Sequence, residues 1–242
     1  EKAGSFTVPA KTLADFVHLL GDEQVDVELQ ESELSIKCAS SATKIKGSPA
    51  DEYPIVPGIE EKHAYALSVD EFKGALSQTV FAAAKNEIRP ELSGVYFGLF
   101  TEHYAGLVLA ATDSYRLAER TMAVEQGKDE TKCIVPARTL YEMIRLFGLS
   151  RGQQSENTVR LWLSENQIAI RYDDFEMTSR LIDGKYPDYA QIIPDKFKTT
   201  AVFMSGAMIN KIKAASLFTT IGVNEVVFDL NKDQNTIGVS ST

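Results

Sequence analysis

The sequence predicts an α+β chain of repeated domains, each with two helices against antiparallel sheets, and three observations carry that prediction. Residues 8–21 (VPAKTLADFVHLLG) and 135–148 (VPARTLYEMIRLFG) are one segment written twice, identical at seven of fourteen positions. Both copies lead into stretches where the apolar residues switch from a helical period to a period of two. A second helical segment, YALSVDEFKGALSQTV from Tyr65, returns in weaker form as VFMSGAMINKIKAASL from Val202. An interval near 130 residues is an ordinary domain size, so the repeat is one of domains rather than of small solenoid units.

Taken in order, the first helix follows from Leu13, Phe16, Val17 and Leu20 at helical spacing, with Pro9 at its start and Gly21 as its stop. Val25, Val27 and Leu29 then alternate as a strand, and the segment VDVELQESELSIK runs parallel to VRLWLSENQIAIR from Val159. Tyr53-Pro54 ends this half-unit, as Tyr186-Pro187 ends its later copy. The Tyr65 segment is expected to form a helix capped by Ser68, with Glu71 three residues on as a capping box. Leu140, Met143, Ile144 and Phe147 repeat the first helix, opened near Pro136 and stopped at Gly148. Val159, Leu161 and Leu163, then Ile168 and Ile170, form two strands about a turn at Glu165-Asn166. Ser205 caps the last helix.

The half-units therefore alternate, and the frame predicts one complete unit flanked by two partial ones: residues 1–64, 65–198 and 199–242. The chain opens Glu1-Lys2-Ala3-Gly4, without an initiator Met or an apolar signal core, and is expected to be part of something longer.

Composition narrows the function. With 44% hydrophobic and 24% charged residues the chain is neither a disordered tail nor a collagen-like or coiled-coil rod. No run approaches the roughly 18 apolar residues of a membrane span. A net charge of −9 argues against indiscriminate nucleic-acid binding by the whole surface, but leaves local basic patches possible. Cys38 and Cys133 form no CxxC and imply reduced thiols in the cytoplasm.

Catalytic signatures are missing from the pattern. There is no P-loop, GxSxG, HExxH or GxGxxG after a strand. His18, His63 and His103 are scattered, and Asn231-Lys232-Asp233-Gln234-Asn235 lacks the Gly and Glu of a calcium loop and reads as a polar hairpin turn. Thr112-Asp113-Ser114-Tyr115-Arg116 joins hydroxyl, carboxylate and base without a general base beside them. No cofactor and no metal are implied. A hydrolase using Asp113 and a histidine stands as the enzymatic alternative.

What recurs is charge on helices. Lys11, Asp15 and His18 lie on one face of the first helix, and Arg138, Glu142 and Arg145 occupy the same offsets in its copy. Lys73, Lys211 and Lys213 add to the other helices, and Lys85 follows shortly after. One such helix is an ordinary solvated face with i,i+4 pairs. The same basic positions in two units suggest a positive surface for DNA on an otherwise acidic protein.

The segments Arg89-Pro90-Glu91-Leu92-Ser93-Gly94-Val95, Ala111-Thr112-Asp113-Ser114-Tyr115-Arg116-Leu117-Ala118, Val135-Pro136-Ala137-Arg138 and Leu181-Ile182-Asp183-Gly184-Lys185-Tyr186-Pro187-Asp188-Tyr189 stand in order along the chain. Together they resemble the bacterial sliding clamp family, the beta subunit of DNA polymerase III, over essentially all 242 residues. The resemblance implies DNA-clamp domains, three per subunit, with helices lining a hole and sheets outside. Two subunits close head to tail as a homodimer around double-stranded DNA. It implies a non-enzymatic processivity factor that tethers the replicative DNA polymerase by high effective concentration and meets the clamp loader, repair polymerases and other proteins with clamp-binding peptides.

By the same resemblance the DNA-binding residues are Lys11, Lys85, Asn86, Arg138 and Arg145, with Asn86 standing where the family often has Gln. A hydrophobic peptide pocket takes Leu92, Thr112, Ser114, Tyr115, Arg116, Leu117, Pro187, Gln191 and Ile192. Ser114 replaces a common Gly, and Gln191 a residue that is often basic. The remainder of that pocket is expected from the end of the third domain, so the piece alone is expected neither to close a ring nor to stay on DNA. A peptide-binding adaptor without DNA encirclement is the other non-catalytic alternative.

Overall fold

The computed structural model describes residues 3–21, 24–39, 41–54, 63–86, 88–149, 157–220 and 225–241. The chain divides into two compact units, Glu1–Tyr186 and Pro187–Thr242.

The first unit begins with β1 (Phe6–Thr7), α1 (Ala10–His18), β2 (Asp26–Gln30), β3 (Glu33–Cys38), β4 (Ser41–Lys46) and β5 (Ser48–Pro49). The order β2-β3-β4 is an antiparallel meander, and β1 pairs with β5. Ile36, Cys38 and Ile45 are buried there. No described residue of α1 is buried, and Val17 and Leu19 stand exposed at its end.

The same unit continues through β6 (Ala64–Ser68), α2 (Val69–Thr79), β7 (Gly94–Thr101), β8 (Tyr104–Thr112), β9 (Leu117–Met122), β10 (Thr131–Pro136), α3 (Ala137–Leu149), β11 (Thr158–Leu163), β12 (Gln167–Tyr172) and β13 (Phe175–Arg180). Two four-stranded antiparallel sheets result, in the orders β10-β7-β8-β9 and β13-β12-β11-β6. The period-two residues explain why: Val159, Leu161, Leu163, Ile168 and Ile170 all join one core, with Arg160 and Arg171 exposed on the other face and Trp162 and Ala169 buried there. Helices α2 and α3 bury Phe72, Leu76, Leu140, Met143 and Phe147 in the same core. Phe72 meets Phe97 of β7 edge-on at 6.2 Å and Phe147 of α3 at 6.0 Å, so one ring joins both helices to a sheet. Removing such a ring costs about 3–5 kcal/mol, because the cavity cannot collapse fully.

The second unit holds a one-turn helix at Tyr189–Ile192, then α4 (Ser205–Ser216) and the hairpin β14 (Val226–Asn231) and β15 (Thr236–Ser241). The Asn231–Asn235 stretch is the hairpin turn expected from its composition. The Asn231 side chain accepts the Gln234 N–H, and Asn235 takes a left-handed φ of 51°. Among the described residues no helix is long and apolar enough to cross a membrane.

The α+β architecture with antiparallel sheets is as expected, but three helix boundaries differ. Gly148 does not stop α3, which runs on to Leu149. It takes no left-handed φ, so it lacks the geometry of a glycine C-cap. Helix α1 ends at His18, three residues before Gly21. Ser68 does stand at the N-cap of α2 but makes no capping hydrogen bond, and Met204 takes the N-cap of α4, leaving Ser205 as its first helical residue.

Candidate functional site

Strands β8 and β9 pair as far as Thr112 and Leu117, leaving Asp113 to Arg116 as the connecting loop. Its side chains close it on itself. The Thr112 hydroxyl donates to the Arg116 carbonyl at 2.7 Å and accepts the Ser114 N–H at 3.1 Å. Asp113 Oδ1 accepts the N–H groups of Tyr115 at 3.0 Å and Arg116 at 3.1 Å, the turn that an Asp at this position favours. Ser114 has φ 77°, the left-handed region where glycine is at ease.

Arg116 is held from two sides. Its Nε donates to Asp113 Oδ2 at 3.1 Å, and its Nη2 donates to the Phe81 carbonyl at 2.8 Å. Its guanidinium lies 5.5 Å from the centre of the Phe81 ring, on the one-turn helix Val80–Ala82 that follows α2. The local desolvation of Asp113 works to raise its pKa. The two backbone N–H groups and the guanidinium outweigh that and hold the carboxyl below its ordinary value. Asp113 thus spends its lone pairs on its own loop and on Arg116, an arrangement for shape rather than for proton transfer.

The loop is also tied from beneath. The Thr112 N–H donates to the hydroxyl of Tyr186 at 3.0 Å. Tyr186 is 8% exposed and packs 5.6 Å from Tyr96, and burial pushes its phenol up to about 12, with the Thr112 N–H acting in the opposite direction. Leu92 is buried on the turn Pro90–Leu92, and its carbonyl accepts the Ala84 N–H at 2.8 Å. Leu117 is half-buried, whereas Tyr115 is 97% exposed.

Six of the nine expected pocket residues, Leu92, Thr112, Ser114, Tyr115, Arg116 and Leu117, therefore lie in the first unit, five of them in one loop and its strand ends. Pro187, Gln191 and Ile192 belong to the second unit. There Gln191 donates to Asp188 at 2.7 Å, and Pro187 and the 67%-exposed Ile192 stand at the surface. The sequence marked Tyr186 as a repeated Tyr-Pro corner and as part of the Leu181–Tyr189 motif, without a contact to Thr112, and did not mark Phe81. The recurrence of Tyr-Pro was the one available signal, since a partner 74 positions away leaves no local pattern.

The basic positions are exposed as expected. Arg138, Glu142 and Arg145 share the outer side of α3, with Arg145 Nε on Glu142 Oε2 at 2.8 Å. That exposed pair contributes little to stability. Lys11, Asp15 and His18 are exposed on α1, where His18 Nδ1 bonds the Ala14 carbonyl at 2.9 Å. A Cβ built at Gly148 of α3 would lie 3.6 Å from Lys73 Nζ, so the α2 ammonium rests against α3. Lys85 and Asn86 are exposed on the segment after α2, and Lys211 and Lys213 on α4. Among the described residues no group of three His, Cys, Asp or Glu side chains is placed to hold a metal ion.

Residues 66–188 match the family described as DNA polymerase III beta subunit, central domain, and residues 1–57 match its N-terminal domain. A beta sliding clamp of Halalkalibacterium halodurans is 31% identical over 231 residues, covering 94% of this chain and 59% of that protein. The crystal structure of the DNA polymerase sliding clamp from Bacillus subtilis superposes with a TM-score of 0.87 at 31% identity, over 99% of this chain and 61% of that one. A Pseudomonas aeruginosa sliding clamp bound to griselimycin has the same fold, with a TM-score of 0.81 at 22% identity, over 97% of this chain and 64% of that one. The chain thus spans about three fifths of the length of the relatives it matches.

Proposed function

The chain belongs to the DNA polymerase III beta subunit family, the sliding clamps, and from that membership we propose that it serves as a processivity factor. It is part of a ring around duplex DNA that carries out no bond-making of its own. The ring tethers the replicative polymerase, and the gain is one of effective concentration rather than of tight contact with DNA. Residues 1–64 supply the end of one clamp domain, 65–198 a complete middle domain and 199–242 the beginning of a third. The protein works in the cytoplasm, needs no cofactor and closes head to tail with a second copy.

Two surfaces divide the work. Lys11, Lys85, Asn86, Arg138 and Arg145 face the phosphates, with weak and sequence-independent contacts that permit sliding. Leu92, Thr112, Ser114, Tyr115, Arg116 and Leu117 of the first unit receive short peptides from the polymerase, the clamp loader and repair proteins, and the family resemblance gives Pro187, Gln191 and Ile192 of the second unit the same role. The observation that carries this reading is the family match running through the central-domain segment that holds the Thr112–Leu117 loop. The internal bonding of that loop supports it, because a surface held in shape before binding loses less entropy on taking an extended peptide. Griselimycin, which is bound in the Pseudomonas aeruginosa clamp structure, is the probe we choose for this proposed surface.

The test is charge reversal at Arg138 and Arg145 in the full gene product. Loading onto circular DNA by a clamp loader is expected to fail while griselimycin binding persists. Undiminished loading would instead remove Arg138 and Arg145 from the DNA-facing surface, and an unaltered protein that binds griselimycin but never loads would be a peptide-binding adaptor without DNA encirclement.

A further inference from the structure

Resting on the reading of the Thr112–Leu117 loop as a peptide-binding surface, we propose that Phe81 is a positioning residue of that surface, fixing the Arg116 guanidinium for a bound peptide. Phe81 sits on the one-turn helix just after α2, 35 positions from Arg116 and on a different element. Its neighbours Val80 and Ala82 are buried, but Phe81 is 48% exposed, so it does not serve the core as they do. Its ring lies 5.5 Å from the guanidinium and its carbonyl accepts Nη2 at 2.8 Å.

Asp113 by itself would leave Arg116 anchored only at Nε, free to swing about the bonds beyond its own loop. The second anchor, on another element, fixes the plane of the guanidinium, and a planar fork is useful only when its plane is fixed. The Nε and one Nη2 donor are then engaged, leaving the remaining N–H groups for the backbone carbonyl of an extended peptide. The same short segment holds the apolar wall: Ala84, three residues after Phe81, donates its N–H to the Leu92 carbonyl. Phe81 therefore joins the polar and the apolar sides of the surface.

The experiment compares wild type, Phe81→Leu and Phe81→Tyr in the full chain, with and without Arg116→Lys. Griselimycin affinity is measured by calorimetry, and the Arg116 Nε–H resonance is followed by NMR without ligand. Leu keeps most of the volume and loses the ring face, and Tyr keeps both. An exposed cation–ring contact corresponds to a weakening of about two- to fivefold for Phe81→Leu. Wild-type affinity is expected for Phe81→Tyr, and no further loss for Phe81→Leu on Arg116→Lys. The Nε–H resonance should lose its upfield ring-current shift only in Phe81→Leu.

Equal affinity for wild type and Phe81→Leu would overturn the positioning role, as would equal weakening by Tyr and Leu, which points to packing alone. A missing ring-current shift in wild type would overturn the geometry. Wild type that keeps the ring-current shift and does not bind griselimycin would overturn the peptide-surface reading, and with it the role of Phe81, while leaving the Phe81–Arg116 contact intact.

Discussion

Replacing Tyr186 by Phe removes the bond from the Thr112 N–H that ties the Thr112–Leu117 loop to the body of the domain. The ring and its contact with Tyr96 remain, and only the hydroxyl that accepts the Thr112 N–H is lost. Thr112 is 6% exposed, so no water replaces the missing acceptor without opening the strand end. A neutral hydrogen bond contributes about 0.5–1.5 kcal/mol, and a buried donor left unpaired raises the loss to about 1–2 kcal/mol. If that loss falls on local opening, the Thr112 amide should exchange with solvent about five to thirty times faster. Amides of the Phe72 core should change much less, because they exchange through larger openings. Hydrogen exchange followed residue by residue by NMR is the assay. Unchanged exchange at Thr112 would refute the argument, and equal acceleration throughout the unit would mean that the phenol serves the fold and not the loop.

The same phenol gives an alkaline signature. Its folded pKa, about 12, lies above the ordinary tyrosine value of 10.0. Its contribution to stability is therefore complete below pH 10 and is lost as pH rises towards 12. In the Tyr186→Phe variant that part of the alkaline decline should disappear from urea melts recorded across this range.

Asp113 has the opposite sign: its folded pKa is lowered, so its contribution is present above the ordinary value of 3.8 and is lost as pH falls through the folded value. Asp113→Asn keeps an oxygen for the backbone N–H groups and loses the charge towards Arg116. Chemical shifts of Tyr115 and Arg116 should move with acid in wild type and stay level in the variant. Gly94→Ala places a Cβ 2.6 Å from the Val135 carbonyl oxygen, 2.7 Å from Ile134 Cγ2 and 2.8 Å from Ile182 Cδ1. The strand must shift, and a loss of about 1–3 kcal/mol is expected in urea unfolding. An unchanged midpoint would show that β7 and β10 yield without strain.

Much of the fold was legible because its determinants are local. The period of two in Val159–Leu163 and Ile168–Ile170 and the helical spacing of Leu140, Met143 and Phe147 each report a face turned to the core. Gly148 and Ser205 misled because punctuation residues matter only in a particular backbone geometry. Gly148 has no left-handed φ, and the chain enters α4 one residue before Ser205. The Thr112–Arg116 segment was legible as unusual chemistry, and Ser114 as a residue out of place. What made that chemistry structural rather than catalytic was not legible. Asp113 is occupied by two N–H groups of its own loop, Arg116 by Phe81 from 35 positions away, and Thr112 by Tyr186 from 74 positions away. Contacts of that separation leave no period and no spacing in a single sequence.

We propose that this protein is held on DNA by topology. The direct measurement loads the full gene product onto a nicked circular DNA with a clamp loader, linearises the DNA and follows retention at raised salt. Loss from the linear form with survival on the circle is the predicted result, since weak phosphate contacts do not hold a ring that can slide off an end. Equal retention on both forms would contradict it, and would make Arg138 and Arg145 part of an ordinary binding surface.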